Sequence, residues 1–262
     1  MENPDEILRL EIKTDPNEIR RHALWCGFKS GMRVLDAACG PGKTTSILHE
    51  MIQPNGEILG LDASKERIQY ARTHYGHRQG MHFQVHDLRQ PLNEMGNFDL
   101  IWVRFILEYF RDDAFDIVKK LAKYLTPGGL LCLLDLDYNC LSHYELPKQM
   151  ERILVKLITI LEEKHNFDPY AGRKLYSYLY DLSYQNIQVE VTPHHLIYGE
   201  VHDQDLFNWI KKVEVVSSKE LWLFESYPGG HDAFFQDFER FFTDPRRFTY
   251  TPLILCKGTK PA

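Results

Sequence analysis

Apolar residues along this chain fall into short unbroken runs separated by stretches of helical spacing. Five runs read as strands, at residues 33–37, 57–62, 82–86, 100–103 and 130–136. Continuous apolar character over such lengths fits strands buried on both faces, as in parallel sheets with helices on each side. Between the runs lie helical patterns. The first, over 43–52, brings Ile47, Leu48 and Met51 to one face. A second follows Ser64, whose hydroxyl can cap a helix. A third, over 113–124, stops at Thr126, Pro127, Gly128 and Gly129, where proline ends the helix and the glycines turn the chain. An amphipathic segment over 16–27 precedes the first strand. After residue 139 the rhythm changes: helical patterns at 146–164, 173–182, 203–226 and 232–242 interleave with strands at 187–193 and 249–256. Alternation of this kind predicts an α/β fold, a doubly wound sheet with helical additions. No internal repeat is detectable.

The first strand runs into a glycine loop, Val34 to Thr45 reading VLDAACGPGKTT. Strand, glycine loop and helix are how a doubly wound domain opens a nucleotide site at the carboxyl end of its first strand. Gly40 is expected to allow the sharp turn and Gly42 to let the backbone approach a ligand, since neither carries a Cβ. The second strand ends at Asp62, twenty positions after Gly42, where a carboxylate can accept hydrogen bonds from both hydroxyls of a ribose. Three ligands compete for such a site. A phosphate cradle needs backbone N–H donors, yet Pro41 removes one and Asp36 puts negative charge at the base of the loop. A dinucleotide fingerprint lacks its third glycine, with Thr45 in its place. S-adenosylmethionine carries no phosphate, and its ammonium and sulfonium suit the Asp36 carboxylate.

The Asp-x-x-x-Gly-Pro-Gly loop, Asp62, and HFQVHDL at residues 82–88 resemble class I S-adenosylmethionine-dependent methyltransferases, in particular the UbiE/Coq5-like small-molecule branch. FDLIWVRFILEYF (98–110) and LTPGGLLCLLDLD (125–137) are similar to the fourth and fifth strand regions of that branch, so the resemblance spans about residues 20–138. It implies a Rossmann-like seven-stranded sheet of order 3-2-1-4-5-7-6 with an antiparallel last strand. It also implies S-adenosyl-L-methionine as cofactor and S-adenosyl-L-homocysteine as product. Carried over by position, Asp36, Gly40 and Gly42 border the methionine end, Asp62 holds the ribose, and Ala63 lies beside the adenine with Arg67 nearby. Asp87 accepts from the adenine amino group, Leu88 offers a backbone N–H, and Arg104 lies under the methionyl part. Relatives often carry a His near the position of Tyr109; this chain does not, so that role is not carried over. The domain organisation expected is a helical segment over 1–30, a cofactor-binding core over 31–139, and helical lid insertions with the last two strands over 140–262.

Composition narrows the partners. The chain has 262 residues, 44% of them apolar, enough to bury a sizeable core. A net charge of −6 without a long basic run argues against a nucleic-acid partner. Five scattered cysteines without a Cys-x-x-Cys pair suit a reducing compartment, and no apolar run has membrane-spanning length, so a cytoplasmic protein is expected. Methyl transfer needs an acceptor held in line with the sulfonium methyl and shielded from water. Aromatic residues crowd the insertions: Tyr138, Tyr144, Tyr170, Trp209, Trp222, Phe224, Tyr227, Phe234 and Phe235. They suggest a small apolar or aromatic acceptor under a helical lid, or else packing of the added helices. Tyr138 follows the fifth strand's end, and Tyr109 and Glu108 the fourth's; these are candidate acceptor contacts. Tyr176, Tyr180 and Tyr184 are expected in the core. His143 is a candidate base, with a solvent-facing or capping role as the bland alternative. His194 and His195 should point to opposite faces of a strand. Asp135, Asp137 and Asn139 alternate like a metal site, but Arg104 stands where a further carboxylate would be needed, so no catalytic metal is expected. The Asn/Asp-Pro-Pro-aromatic motif of nucleic-acid amino methyltransferases is absent. Two further readings stay open: an S-adenosylmethionine-binding protein without catalysis, and a P-loop-like nucleotide hydrolase using Asp135 for Mg²⁺.

Overall fold

The computed structural model describes residues 4–92, 95–138, 142–217 and 220–262. Five parallel strands form the centre: β1 (Arg33–Ala37), β2 (Glu57–Asp62), β3 (Met81–Val85), β4 (Phe98–Arg104) and β5 (Leu125–Leu136). The connecting helices are α3 (Lys43–Met51), α4 (Lys65–His74) and α5 (Ala114–Ala122), preceded by α1 (Pro4–Lys13) and α2 (Pro16–Cys26). The second half adds β6 (His143–Tyr144), α6 (Lys148–His165), α7 (Leu175–Asp181), β7 (Gln185–Tyr198), α8 (Asp203–Ser217), α9 (Gly230–Thr243) and β8 (Phe248–Thr259). The strand order is β3-β2-β1-β4-β5-β8-β6, with β7 also paired to β8. Apart from the two-residue β6, this is the expected Rossmann-like sheet with its antiparallel last strand. One edge of β8 carries β7; the other carries β5 and then β6, which continues the line of β5.

Burial explains the layers. The apolar runs of β1, β4 and β5 are covered on both faces. Ile19, Ala23, Leu48, Ile68 and Ala71 from α2, α3 and α4 pack on one side, with Trp102 fully buried among them. Ile117, Leu121, Leu175 and Leu179 from α5 and α7 pack on the other. A third core lies outside the sheet, where α6, α8 and α9 gather Leu157, Trp209, Phe224, Tyr227, Phe234 and Phe238. Most of the insertion aromatics are therefore spent on the additions' own core. Trp222 and Tyr144 stay exposed.

Several expectations are corrected. Tyr176 and Tyr180 are 49% and 66% exposed on the outer face of α7, and only Tyr184 is buried. The helix expected over 203–226 ends at Ser217, and a short 3-10 turn follows at Leu221–Phe224. Thr126, Pro127, Gly128 and Gly129 do not lie between helix and strand. β5 already pairs at Leu125 with Phe98, leaves the ladder through these four residues, and returns at Leu130 opposite Leu100. α1 falls within the helical segment expected over residues 1–30, and its Leu8 and Ile12 are exposed.

Candidate functional site

The carboxyl ends of β1, β2 and β4 converge on the glycine loop. Ala38, Gly40 and Gly42 take left-handed φ values of 66°, 57° and 95°, which turn the chain from β1 into α3 within five residues. The loop is strapped to β2: Cys39 N–H donates to the Leu61 carbonyl at 2.8 Å, and Gly40 N–H donates to Asp62 Oδ2 at 3.0 Å. Asp62 is buried and its Oδ1 accepts from Ser64 N–H at 2.9 Å, with the Arg67 guanidinium 3.9 Å away. Asp36 is 2% exposed, and its Oδ2 accepts from the Thr45 hydroxyl at 2.6 Å. Burial pushes its pKa up to about 7, against the opposing effects of the Thr45 hydrogen bond and the Arg104 charge. Asp36, Gly40, Asp62, Arg67 and Arg104 thus share one end of the sheet. Ala63 is exposed next to Asp62. Asp87 lies just past β3, its carboxylate gripped by Arg89 at 2.6 and 3.0 Å, which holds it below the usual carboxylate range. Leu88 is buried in the core.

Gly42 owes its identity to the protein. A Cβ there would lie 2.8 Å from Ala71 Cβ and 3.0 Å from the Phe83 ring, so it is α4 and β3 that fill the space expected for a ligand. Gly40 has the open side, with Leu10 Cδ1 of α1 the nearest atom at 3.9 Å. α1 lies across this loop. The Lys43 ammonium donates to the Glu11 carbonyl, and Tyr75 Oη donates to the Glu11 carboxylate at 2.8 Å.

Beyond β4 the chain enters a polar interior. Phe105 has φ +55°, a conformation rare for a bulky side chain, and its ring is surrounded by charge. Arg104 Cζ lies 3.8 Å from its centroid, the Lys13 ammonium 5.3 Å, and the His194 ring 4.8 Å. His194 and His195 do not diverge. The β7–β8 register shifts between Pro193 and His195, so His194 is an extra residue and the two imidazoles sit 4.3 Å apart. Their pKa values fall well below the usual imidazole range, chiefly through burial. His143 is neither solvent-facing nor a cap. Its Nδ1 lies 2.9 Å from Thr249 Oγ1, and Trp209, Phe238 and Phe241 surround the ring.

Glu108 is buried in the turn after β4, beside Asp135. Asp135 accepts three backbone N–H groups, from Leu107 and Leu136 at 2.8 Å and from Glu108 at 3.3 Å, and burial drives its pKa well upward. Asp137 is held in a two-point pair by Arg173 at 2.8 and 2.9 Å. Asn139 lies outside the described residues. Tyr109 and Tyr138 are 40% and 43% exposed, against Phe167 and Tyr170 respectively. Cys39 is a buried packing residue; among the described residues Cys26, Cys39, Cys132 and Cys256 are all free thiols. A hollow of about 550 Å³ lies at the opposite, amino-terminal edge of the sheet, between Gly31 and Gly128, away from all these groups.

A parallel sheet with a glycine loop after its first strand and an acidic residue closing its second defines an α/β protein of the Rossmann-like class. Residues 28–179 match the family described as Methyltransferase domain, and this chain belongs to that family. Over 136 residues it is 26% identical to the demethylmenaquinone methyltransferase of Lactococcus lactis, covering 48% of this chain and 53% of that enzyme. The first curated relatives are matched over 33% to 58% of their own length. The fold is similar to the YcgJ protein of Bacillus subtilis, with a TM-score of 0.62 and 16% identity over 95% of this chain and all of the other. It is also similar to coclaurine N-methyltransferase bound to N-methylheliamine and S-adenosylhomocysteine, with a TM-score of 0.56 and 14% identity over 92% of this chain and 72% of that one. Among the described residues, no helix is long and apolar enough to cross a membrane.

Proposed function

We propose that this chain binds S-adenosyl-L-methionine at the glycine loop and transfers its methyl group to a small-molecule acceptor by in-line displacement, releasing S-adenosyl-L-homocysteine. The observation that carries the reading is the pairing, in a methyltransferase-family chain, of a buried carboxyl at Asp36 with Asp62 strapped to the open-sided Gly40. The residues fit the cofactor. Asp62 has lone pairs left for ribose hydroxyls after its two backbone bonds, Asp36 offers a carboxyl to a cation, and Gly40 leaves room for close approach. In this reading Asp87 and Ala63 are assigned to the adenine side. Once bound, the cofactor supplies an electrophilic methyl on a sulfonium. The chain's own work is to hold and orient it, to exclude water, and to place an acceptor in line. In this reading residues 31–139 form the cofactor-binding core and residues 140–262 the additions, with Glu108, Tyr109 and Tyr138 of the core and His143 of the additions on the acceptor side.

The phosphate-loop alternative loses its two key groups to other work. The Lys43 ammonium is tied to α1, and Asp135, the candidate Mg²⁺ ligand, already accepts three backbone N–H groups. The test is a thermal-shift titration. S-adenosylhomocysteine should raise the melting temperature by mass action, while Mg-ATP and NAD should not. A shift with Mg-ATP alone would end the methyltransferase reading.

A further inference from the structure

Around Phe105, four elements from distant parts of the chain bring together polar and charged groups. α1 contributes Lys13, the end of β4 contributes Arg104, the irregular turn of β7 contributes His194 and His195, and β8 contributes Thr251, the cross-strand neighbour of His195. Arg104 Nε, His194 Nε2, His195 Nδ1 and Thr251 Oγ1 are all shielded from solvent and hydrogen-bonded to nothing in the protein. Buried polar atoms are almost always paired, because an orphan forfeits its hydration without a replacement bond. Four of them in one place mark a spot where a polar partner belongs. An apolar acceptor surface would leave all four unsatisfied.

We propose that the acceptor carries an anionic group, a carboxylate or a phosphate, seated among Lys13, Arg104, His194 and His195. This rests on the methyltransferase reading and narrows its acceptor class. The charges facing this spot favour an anion. Lys13 and Arg104 flank it, and Arg9 and Lys212 add positive potential; Glu108, Asp36, Asp135 and the more distant, half-exposed Glu18 oppose them. Of those carboxyls, Asp36 is engaged by Thr45 and Asp135 by three N–H groups, and burial pushes both toward the neutral form. Burial, together with repulsion from Arg9, Lys212 and Arg104, lowers Lys13 to about 7, and a seated anion would reverse that. The extra residue in β7 supports the same reading. In a regular strand one of the two imidazoles would leave this face; the irregularity keeps both rings together without an internal hydrogen bond to reward it. The strained φ of Phe105, at the centre of the cluster, is a second local cost concentrated at the same spot.

The test uses the full chain saturated with S-adenosylhomocysteine, so that any further anion must occupy a second position. Benzoate and phenyl phosphate are titrated at pH 7 by ligand-observed NMR against their neutral counterparts benzamide and phenol. At least one anion should bind about ten- to hundredfold more tightly than the neutral probes, the range expected for charge-assisted hydrogen bonds. The tighter of the two identifies a carboxylate or a phosphate seat. Lys13→Met and His194→Gln should each reduce that preference while leaving the affinity for S-adenosylhomocysteine unchanged, which also shows that the variants fold. Equal binding of benzamide and both anions would overturn the inference, as would a preference that survives in both variants. Failure of S-adenosylhomocysteine to bind the unaltered protein would instead overturn the methyltransferase reading, and the anion preference would then be read on the free protein.

Discussion

Replacing Gly42 by Ala separates two explanations of the glycine loop. Two penalties add at this position. A residue with a Cβ held near φ +95° pays about 1–2 kcal/mol for the left-handed conformation. The new methyl would also meet Ala71 Cβ at 2.8 Å and the Phe83 ring at 3.0 Å, both in packed elements, and overpacking of this kind costs about 1–3 kcal/mol. Gly42→Ala should therefore lose about 2–5 kcal/mol of stability. At about 2–4 °C per kcal/mol for a chain of this size, the melting temperature drops by roughly 4–20 °C. Gly40→Ala is the control. It shares the left-handed backbone, but its Cβ meets nothing closer than 3.9 Å, so only the first penalty of about 1–2 kcal/mol applies. Urea unfolding of both variants without ligand gives the difference directly. If Gly42→Ala is no less stable than Gly40→Ala, the α4–β3 contact is not what requires a glycine there, and close approach of a ligand regains the explanation.

Asp62→Ala strips the acceptor from Gly40 and Ser64 and should weaken S-adenosylhomocysteine binding by about 1–3 kcal/mol, with Asp62→Asn losing less; if both bind like the parent in calorimetry, the ribose assignment fails. Asp36 has a folded pKa near 7 against an ordinary 3.8, so the folded protein holds a proton that the unfolded chain has released. Its contribution thus favours folding at acid pH and declines as pH rises from about 4 to about 7. In urea titrations Asp36→Asn should gain on the parent across that window, and a constant difference would refute the shift. Tyr176→Ser and Tyr180→Ser should each change stability by less than about 0.5 kcal/mol, as exposed positions do, whereas a loss above that would restore them to the core. Tryptic cleavage after Lys13 should slow when S-adenosylhomocysteine is added, since α1 lies over the glycine loop; equal rates would detach α1 from the cofactor site.

The central strands were legible because burial on both faces demands unbroken apolar runs, and β1, β2, β4 and β5 supply them. The edge elements were not. β7 shows solvent to Val189 and Val191 and carries Gln188 and Glu190, so its full length is fixed by pairing with β8 more than by composition. β6 is two residues held by Thr249 and Phe248, below any periodicity. Alternation misled at His194 and His195 because it assumes an uninterrupted ladder. Pro193 was the available signal, since proline inside a strand marks an edge or a bulge. Tyr176 and Tyr180 do share one face of α7, but spacing cannot say which face points inward, and Tyr184 lies past the helix end. At the site, Asp36, Asp62 and the loop glycines announce themselves through a local motif. Lys13, His194 and Thr251 meet only through tertiary folding, and no local pattern joins them.

The pairing of β8 has a consequence for how the chain is made. β5 has an open edge until residues 248–259 exist, because β8 alone fills the place beside it and also anchors β6 and β7. A ribosome-bound chain that has emerged through residue 240 would hold five parallel strands with a bare, apolar border and a third core still missing Phe241 and Phe242. Such borders recruit other chains. The antiparallel strand thus acts as the closing step of assembly, and a premature stop inside it would yield a sticky, aggregation-prone product even with the entire glycine loop in place.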